Sequence, residues 1–245
     1  YEPVTGIRGV CDEVSHEDAD FGIVPIENSV GGGVIDTLDA LIETDIQICA
    51  EINRAIHHNL LANCAMNKIE KVYSKPEVFA QCQKWLSETN MSGKTIGVAS
   101  TSKAAELARD EQGAAALGSA LAAELYGLKI VCANVEDNAN NVTRFFVIGR
   151  ESARSTGDDK TSLVFTTNDE PGALVDVLDK FRAAGLNMSF IESRPSKKRN
   201  WEYYFFTDVV CHHSDAAFAE AIESAKQHCL RLNLLGSYPR ASEVI

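Results

Sequence analysis

TSLVFTTNDEPGALVDVLDKFRAAGLNMSFIES, residues 161–193, decides how the C-terminal part of the chain folds. Thr161 to Thr167 is rich in strand-favouring residues, and Asn168-Asp169-Glu170-Pro171 then brings capping chemistry and a proline close to a first helical position. Leu174, Val177, Leu178 and Phe181 recur at i, i+3, i+4 and i+7, the apolar stripe of a helix, and Gly185 is a suitable stop. Asn187 to Ser193 reads as the next strand. Trp201 to Cys211 follows as another, with Trp201, Tyr203, Phe205, Thr207 and Val209 on one face. Ser214 opens a last helix carrying Phe218, Ala221, Ile222 and Ala225, and Arg231 to Tyr238 closes as a strand. The order is βαββαβ, the ferredoxin-like arrangement, which says little about function by itself.

Upstream of this unit, Glu151 to Asp159 (ESARSTGDD) has one apolar residue and is otherwise small, turn-forming and charged. The expected organisation is therefore a first domain over residues 1–150, a linker over 151–159 and a second domain over 160–245. Before the linker, short apolar runs alternate with helical patterns: Phe21 to Ile26, a break at Gly31-Gly32-Gly33, a helix from Val34 to Ile42, and later Lys94 to Ala99. Strands alternating with helices predict an α/β fold.

The 245 residues are 45% hydrophobic and 24% charged, which matches a soluble globular protein and excludes disordered, collagen-like and disulfide-stapled classes. A net charge of −12 repels phosphate backbones and anionic lipid surfaces, so neither nucleic acid nor a membrane is an expected partner. The least polar stretch, Gly113 to Ala133, is broken by Glu124 and Lys129 and does not reach a membrane span. Seven widely spaced cysteines without a CxxC pair fit a reduced, cytoplasmic compartment and packed thiols. The pairs His57-His58 and His212-His213 lack metal-ligand spacing, and no metal or cofactor is expected.

Two strand-to-helix junctions share a chemistry. Lys94 to Ala99 runs into Ser100-Thr101-Ser102 and an Ala-rich helix, and Phe21 to Ile26 runs into Glu27-Asn28-Ser29. Hydroxyls and amides at a helix start, beside free N–H groups and the helix dipole, suit an anion; each junction alone is equally what an ordinary cap looks like. The densest polar cluster is Glu136 to Gly149, where Thr143, Arg144 and Phe145 stand in succession at the entry to an apolar strand. A hydroxyl, a guanidinium suited to a carboxylate and an apolar wall meet there, although Thr143 and Arg144 also read as a strand-edge cap and ion pair.

VPIENSVGGGVIDTLDAL (24–41), YSKPEVFAQCQKWL (73–86), VASTSKAAELA (98–108) and NVEDNANNVTRFFVIG (134–149) resemble the successive signatures of the prephenate dehydratase family. GALV (172–175) and ESRP (192–195) resemble the phenylalanine-binding motifs of the ACT domain that follows in that family. The motifs are in family order and cover nearly the whole chain. Where many members carry Ser-His-Pro-Gln, this chain has Ser74-Lys75-Pro76-Glu77, so no substrate role passes to Lys75 or Glu77. The strand, Gly-rich loop and helix with which the family opens are not in the sequence. The chain is therefore expected to hold an N-terminally incomplete, two-lobed, periplasmic-binding-protein-like catalytic domain followed by a ferredoxin-like ACT domain.

The resemblance implies conversion of prephenate to phenylpyruvate with loss of carbon dioxide and water. It gives Thr143 as general acid, with Arg144, Phe145, Asn28, Ser29, Thr37, Ser100 and Thr101 against the substrate. L-Phenylalanine is the implied effector, bound at Gly172, Ala173, Leu174 and Asn187, with Glu192, Ser193, Arg194 and Pro195 reaching in from a neighbouring subunit of a homodimer or homotetramer. The ACT sheet would leave one face and edge for that pairing. A chain without the family's opening is expected to bind phenylalanine and make little phenylpyruvate. Two alternatives stand beside this reading: an amino-acid sensor without turnover, and the same enzyme acting on arogenate.

Overall fold

The computed structural model describes residues 2–196 and 201–245. In chain order its main elements are α1 (Gly6–Ser15), β1 (Gly22–Asn28), β2 (Gly32–Gly33), α2 (Ile35–Glu43), β3 (Gln47–Ala55), β4 (Asn59–Ala62), β5 (Lys71–Ser74), α3 (Pro76–Gln81), α4 (Gln83–Glu88), β6 (Thr95–Gly97), α5 (Thr101–Asp110) and β7 (Ala114–Gly118). They continue as α6 (Ala120–Tyr126), β8 (Lys129–Cys132), β9 (Val142–Gly149), β10 (Asp159–Thr166), α7 (Ala173–Ala183), β11 (Met188–Pro195), β12 (Tyr203–Val209), α8 (Ala216–Lys226) and β13 (Arg231–Pro239). The fold is mixed α/β. Among the described residues no helix is long and apolar enough to cross a membrane.

The chain divides into two compact units. One comprises residues 1–54 and 142–245, the other residues 55–141. The first unit contains a sheet of order β2-β1-β9-β3 and the ferredoxin-like sheet of order β11-β12-β10-β13. These two sheets belong together because they share one core. Leu38, Leu41, Ile48 and Phe146 from the N-terminal elements and β9 pack with Val164, Tyr204, Phe206, Leu235 and Tyr238 of the C-terminal sheet. The rings of Phe146 and Tyr238 meet edge to face, with centroids 5.6 Å apart. Burying each such aromatic side chain contributes roughly 1.5–3 kcal/mol.

The sheet face expected to lie open is therefore covered. Tyr204 and Phe206 alternate with Phe205 along β12, so one set meets the N-terminal core while Phe205, Val177, Phe181 and Phe218 meet beneath α7 and α8. Helix α7 also starts later than the Asn168–Pro171 caps suggested. Its N-cap is Gly172 at φ +89°, a conformation that glycine adopts without steric cost.

The other unit holds a five-stranded sheet, order β6-β5-β7-β4-β8. β5 runs parallel to β6 and β7, while β4 is antiparallel to β7 and β8. All of Ala114–Gly118 in β7 is buried, as a central strand covered on both faces requires. Ala104, Ala105 and Ala108 let α5 lie close against Tyr73 and Ala116. Burial pushes the thiols of Cys82 and Cys211 up to about 12 and that of Cys11 up to about 11, so these cysteines serve as packed apolar groups.

Candidate active site

Strands β1 and β9 pair antiparallel in a register that sets Asn28 opposite Thr143 and Glu27 opposite Arg144. A shift between Pro25 and Glu27 accommodates the proline, which has no N–H for the ladder. Successive residues of a strand face opposite ways. Thr143, Phe145 and Val147 are therefore on one face, half-buried, and Arg144, Phe146 and Ile148 on the other, fully buried.

The half-buried face has an ordered polar pair. Asn28 Nδ2 donates to Thr143 Oγ1 at 2.9 Å. Its orientation is fixed from behind, because Asn28 Oδ1 accepts the backbone N–H groups of Val30 at 3.0 Å and Gly31 at 2.9 Å. Ser29 closes the same corner: its Oγ accepts the Val142 N–H at 3.0 Å and its own N–H donates to the Val142 carbonyl at 2.8 Å. A threonine oxygen that accepts a strong amide hydrogen bond keeps its own proton for another acceptor, and the bond stabilises oxygen charge left behind when that proton moves.

On the opposite face Arg144 lies among protein carboxylates. Its Nε donates to Glu27 at 2.9 Å, and its Nη1 donates to Glu51 at 3.2 Å and to Asp208 at 2.6 Å. Its guanidinium carbon lies 5.1 Å from the ring centre of Phe146 and 5.2 Å from that of Phe190. Burial alone would lower the pKa of the guanidinium, but Asp208, Tyr238 and Glu27 hold it well above the ordinary value. Lys160 joins the group 2.9 Å from Glu51, and Ser162 bridges Asp208 to the Tyr238 hydroxyl. Burial raises the Tyr238 pKa strongly, followed by the Asp208 charge, which keeps this phenol neutral.

Two of the expected substrate contacts make bonds within the protein. Arg144 is 5% exposed, with Glu27, Glu51 and Asp208 bonded to its Nε and Nη1, while its Nη2 is buried without a hydrogen-bond partner. Thr37 is fully buried and its hydroxyl donates to the Pro25 carbonyl, pinning α2 to β1. Glu27 is one of the Arg144 partners. In the other unit, Ser100 caps α5 by accepting the Lys103 N–H at 3.0 Å, and Thr101 opens that helix half-buried. Glu51, Lys160, Ser162 and Asp208 were not singled out from sequence, although an acid inside apolar β12 is itself a signal of a buried partner.

In the C-terminal sheet, Ala173 and Leu174 line an open pocket with Asn168, Glu170, Tyr203 and Phe205. Gly172 adjoins it as the α7 cap. Asn187 stands just before β11, its carbonyl accepting the Val210 N–H at 2.8 Å. Along β11, Ser193 and Pro195 are exposed, whereas Glu192 and Arg194 turn onto the N-terminal elements of their own unit. A side chain added at Gly33 would stand 3.3 Å from the Glu192 carboxylate, and Arg194 donates to Asp39 of α2 at 3.3 Å. Among the described residues no three His, Cys, Asp or Glu side chains gather to hold a metal ion.

Comparison with known proteins gives a consistent set of relatives. Residues 1–153 match the prephenate dehydratase family and residues 161–227 the ACT domain. A bifunctional chorismate mutase/prephenate dehydratase of Aquifex aeolicus is 43% identical over 242 residues, 98% of this chain and 67% of that relative. The chain thus spans about two thirds of the length of such bifunctional relatives. Among solved structures, prephenate dehydratase of Arthrobacter aurescens in complex with L-Phe is 33% identical with a TM-score of 0.89, covering 98% of this chain and 81% of that one. A structure described as a novel type of quorum quenching acylase, GqqA, is 29% identical with a TM-score of 0.88, covering 98% of this chain and 89% of that one.

Proposed function

The chain belongs to the prephenate dehydratase family and carries an ACT domain, and from that premise we propose that it converts prephenate to phenylpyruvate under feedback from L-phenylalanine. The ring carboxylate leaves as carbon dioxide, its bonding pair enters the ring, and the ring C–O bond breaks. The departing hydroxide takes one proton and leaves as water. Aromatisation drives the reaction, so the protein's task is orientation and well-timed proton donation.

The observation that carries this reading is the Asn28–Thr143 pair on the family-matching strands. Thr143 is the proton donor and Asn28 directs its proton outward. Ser29 holds the corner, and Phe145 on the same face excludes water. The functional division follows the 151–159 linker, with the ACT domain after it.

Asn28→Asp tests the pair. The variant keeps the oxygen that accepts from Val30 and Gly31 but replaces the donor to Thr143 by an acceptor. The Thr143 hydroxyl then turns to the new carboxylate, and kcat for phenylpyruvate formation is expected to fall roughly 100-fold, the scale of losing one preorganised donor. Turnover at the unmodified rate would remove Asn28 from the mechanism.

L-Phenylalanine is proposed to bind at Gly172, Ala173, Leu174 and Asn187, with the Glu192–Pro195 segment contributing from a neighbouring subunit in an assembly of two or four copies. Leu174 lines that pocket, and Leu174→Asn is expected to weaken L-phenylalanine binding by about tenfold or more in calorimetry through lost apolar burial. Unchanged affinity would move the effector elsewhere. The edge position of β11 and the 46% exposure of Ile191 support pairing between copies. Seven free thiols support a cytoplasmic setting.

A further inference from the structure

The proposed proton donor and a buried ion network occupy adjacent steps of one strand ladder. Asn28 meets Thr143 on one face; at the next step Glu27 meets Arg144 on the other. The shortest contact to the Arg144 guanidinium comes from Asp208 on β12, inside the ACT sheet, at 2.6 Å. Asp208 is 2% exposed and is itself anchored by Ser162, which also bonds Tyr238. Strand β9 is thus held laterally by its ladder to β1 and from beneath by an ion pair to the ACT sheet.

We propose that Asp208 is a positioning residue for the dehydratase reaction, acting through Arg144 to fix the β9 backbone that presents Thr143. This rests on the reading of Thr143 as proton donor. A buried charge-assisted bond within one residue of the donor restricts the strand where small displacement matters most, since a misplacement of about 1 Å can cost on the order of 100-fold in rate. The chemistry also gives the ACT domain a structural part in catalysis apart from effector binding.

Asp208→Asn isolates the contact. The retained side-chain oxygen can still accept from Ser162, while the new amide nitrogen faces the Arg144 donor, so donor meets donor. In the full chain, at a temperature where circular dichroism gives the folded spectrum, kcat is expected to fall roughly 10- to 100-fold with KM changed less than about threefold. A purely structural role would lower the melting temperature yet leave kcat of the folded protein within about twofold of the unmodified value, and that result overturns the proposal. Thr143→Val in the same assay separates the two failures. If it is inactive while Asp208→Asn is fully active, only the positioning role is lost; if it is fully active, the reading of Thr143 falls and the proposal with it.

Discussion

Thr143→Val is expected to lower kcat for phenylpyruvate formation by roughly 1000-fold, the middle of the range for removing a general acid. The substitution keeps a β-branched side chain at a half-buried strand position, although Asn28 loses its Thr143 acceptor. What disappears is the hydroxyl that accepts from Asn28 at 2.9 Å and is proposed to supply the proton. Three decades in rate correspond to about 4 kcal/mol of transition-state stabilisation. Because the proton moves only in the transition state, kcat and kcat/KM should fall together. Thr143→Ser, which restores a hydroxyl with more rotational freedom, is expected to recover part of the rate. A melting temperature close to that of the unmodified protein is the accompanying check that the loss is chemical.

Gly236→Ala is expected to be the most damaging single substitution for stability. Gly236 sits on β13 at φ +148°, where the ladder to β10 shifts register between Ser162 and Leu163. A methyl there would lie 2.2 Å from the Ile48 carbonyl oxygen and 2.6 Å from the Ile48 nitrogen, both backbone atoms of β3. Neither can swing aside as a side chain would. The substitution must strain the glycine conformation and separate two strands of the shared core, at about 3 kcal/mol or more. For a chain of this size that is a drop of roughly 6–12 °C in melting temperature, read by calorimetry. An unchanged melting temperature would mean that β13 and β3 do not approach as closely as described.

The ferredoxin-like unit was legible because its helices carry unbroken apolar stripes, such as Leu174, Val177, Leu178 and Phe181 in α7. Its second face was not legible. Tyr204, Phe206 and Asp208 read as the outward set of β12, and only the packing of Leu38, Ile48 and Phe146 against them makes that face a core. Contacts between residues far apart in sequence leave no periodicity to read. The same limit explains the unit boundaries, since composition marks the 151–159 linker but cannot reveal a core shared across it.

At the site, the pairing of Asn28 with Thr143 could not be read from the sequence, and neither could the burial of Arg144 among carboxylates. Thr143, Arg144 and Phe145 are consecutive on a strand, so the middle residue must face away from its neighbours. Applied strictly, that alternation already puts Arg144 on the opposite face of β9 from Thr143 and Phe145. Its three carboxylate partners lie at separations of 64 to 117 residues, beyond any local pattern. Thr37 could be seen on α2, but not that Pro25 would leave a carbonyl for its hydroxyl.

The most direct test follows both products from prephenate, carbon dioxide and phenylpyruvate, with a protein that carries the family's opening segment ahead of this chain and with its Thr143→Val variant under identical conditions. The expected result is equimolar formation of the two by the unmodified protein, with both falling together by roughly 1000-fold in the variant. Equal rates of phenylpyruvate formation by the two proteins, or prephenate left unchanged by the unmodified one, would contradict a dehydratase whose proton comes from Thr143.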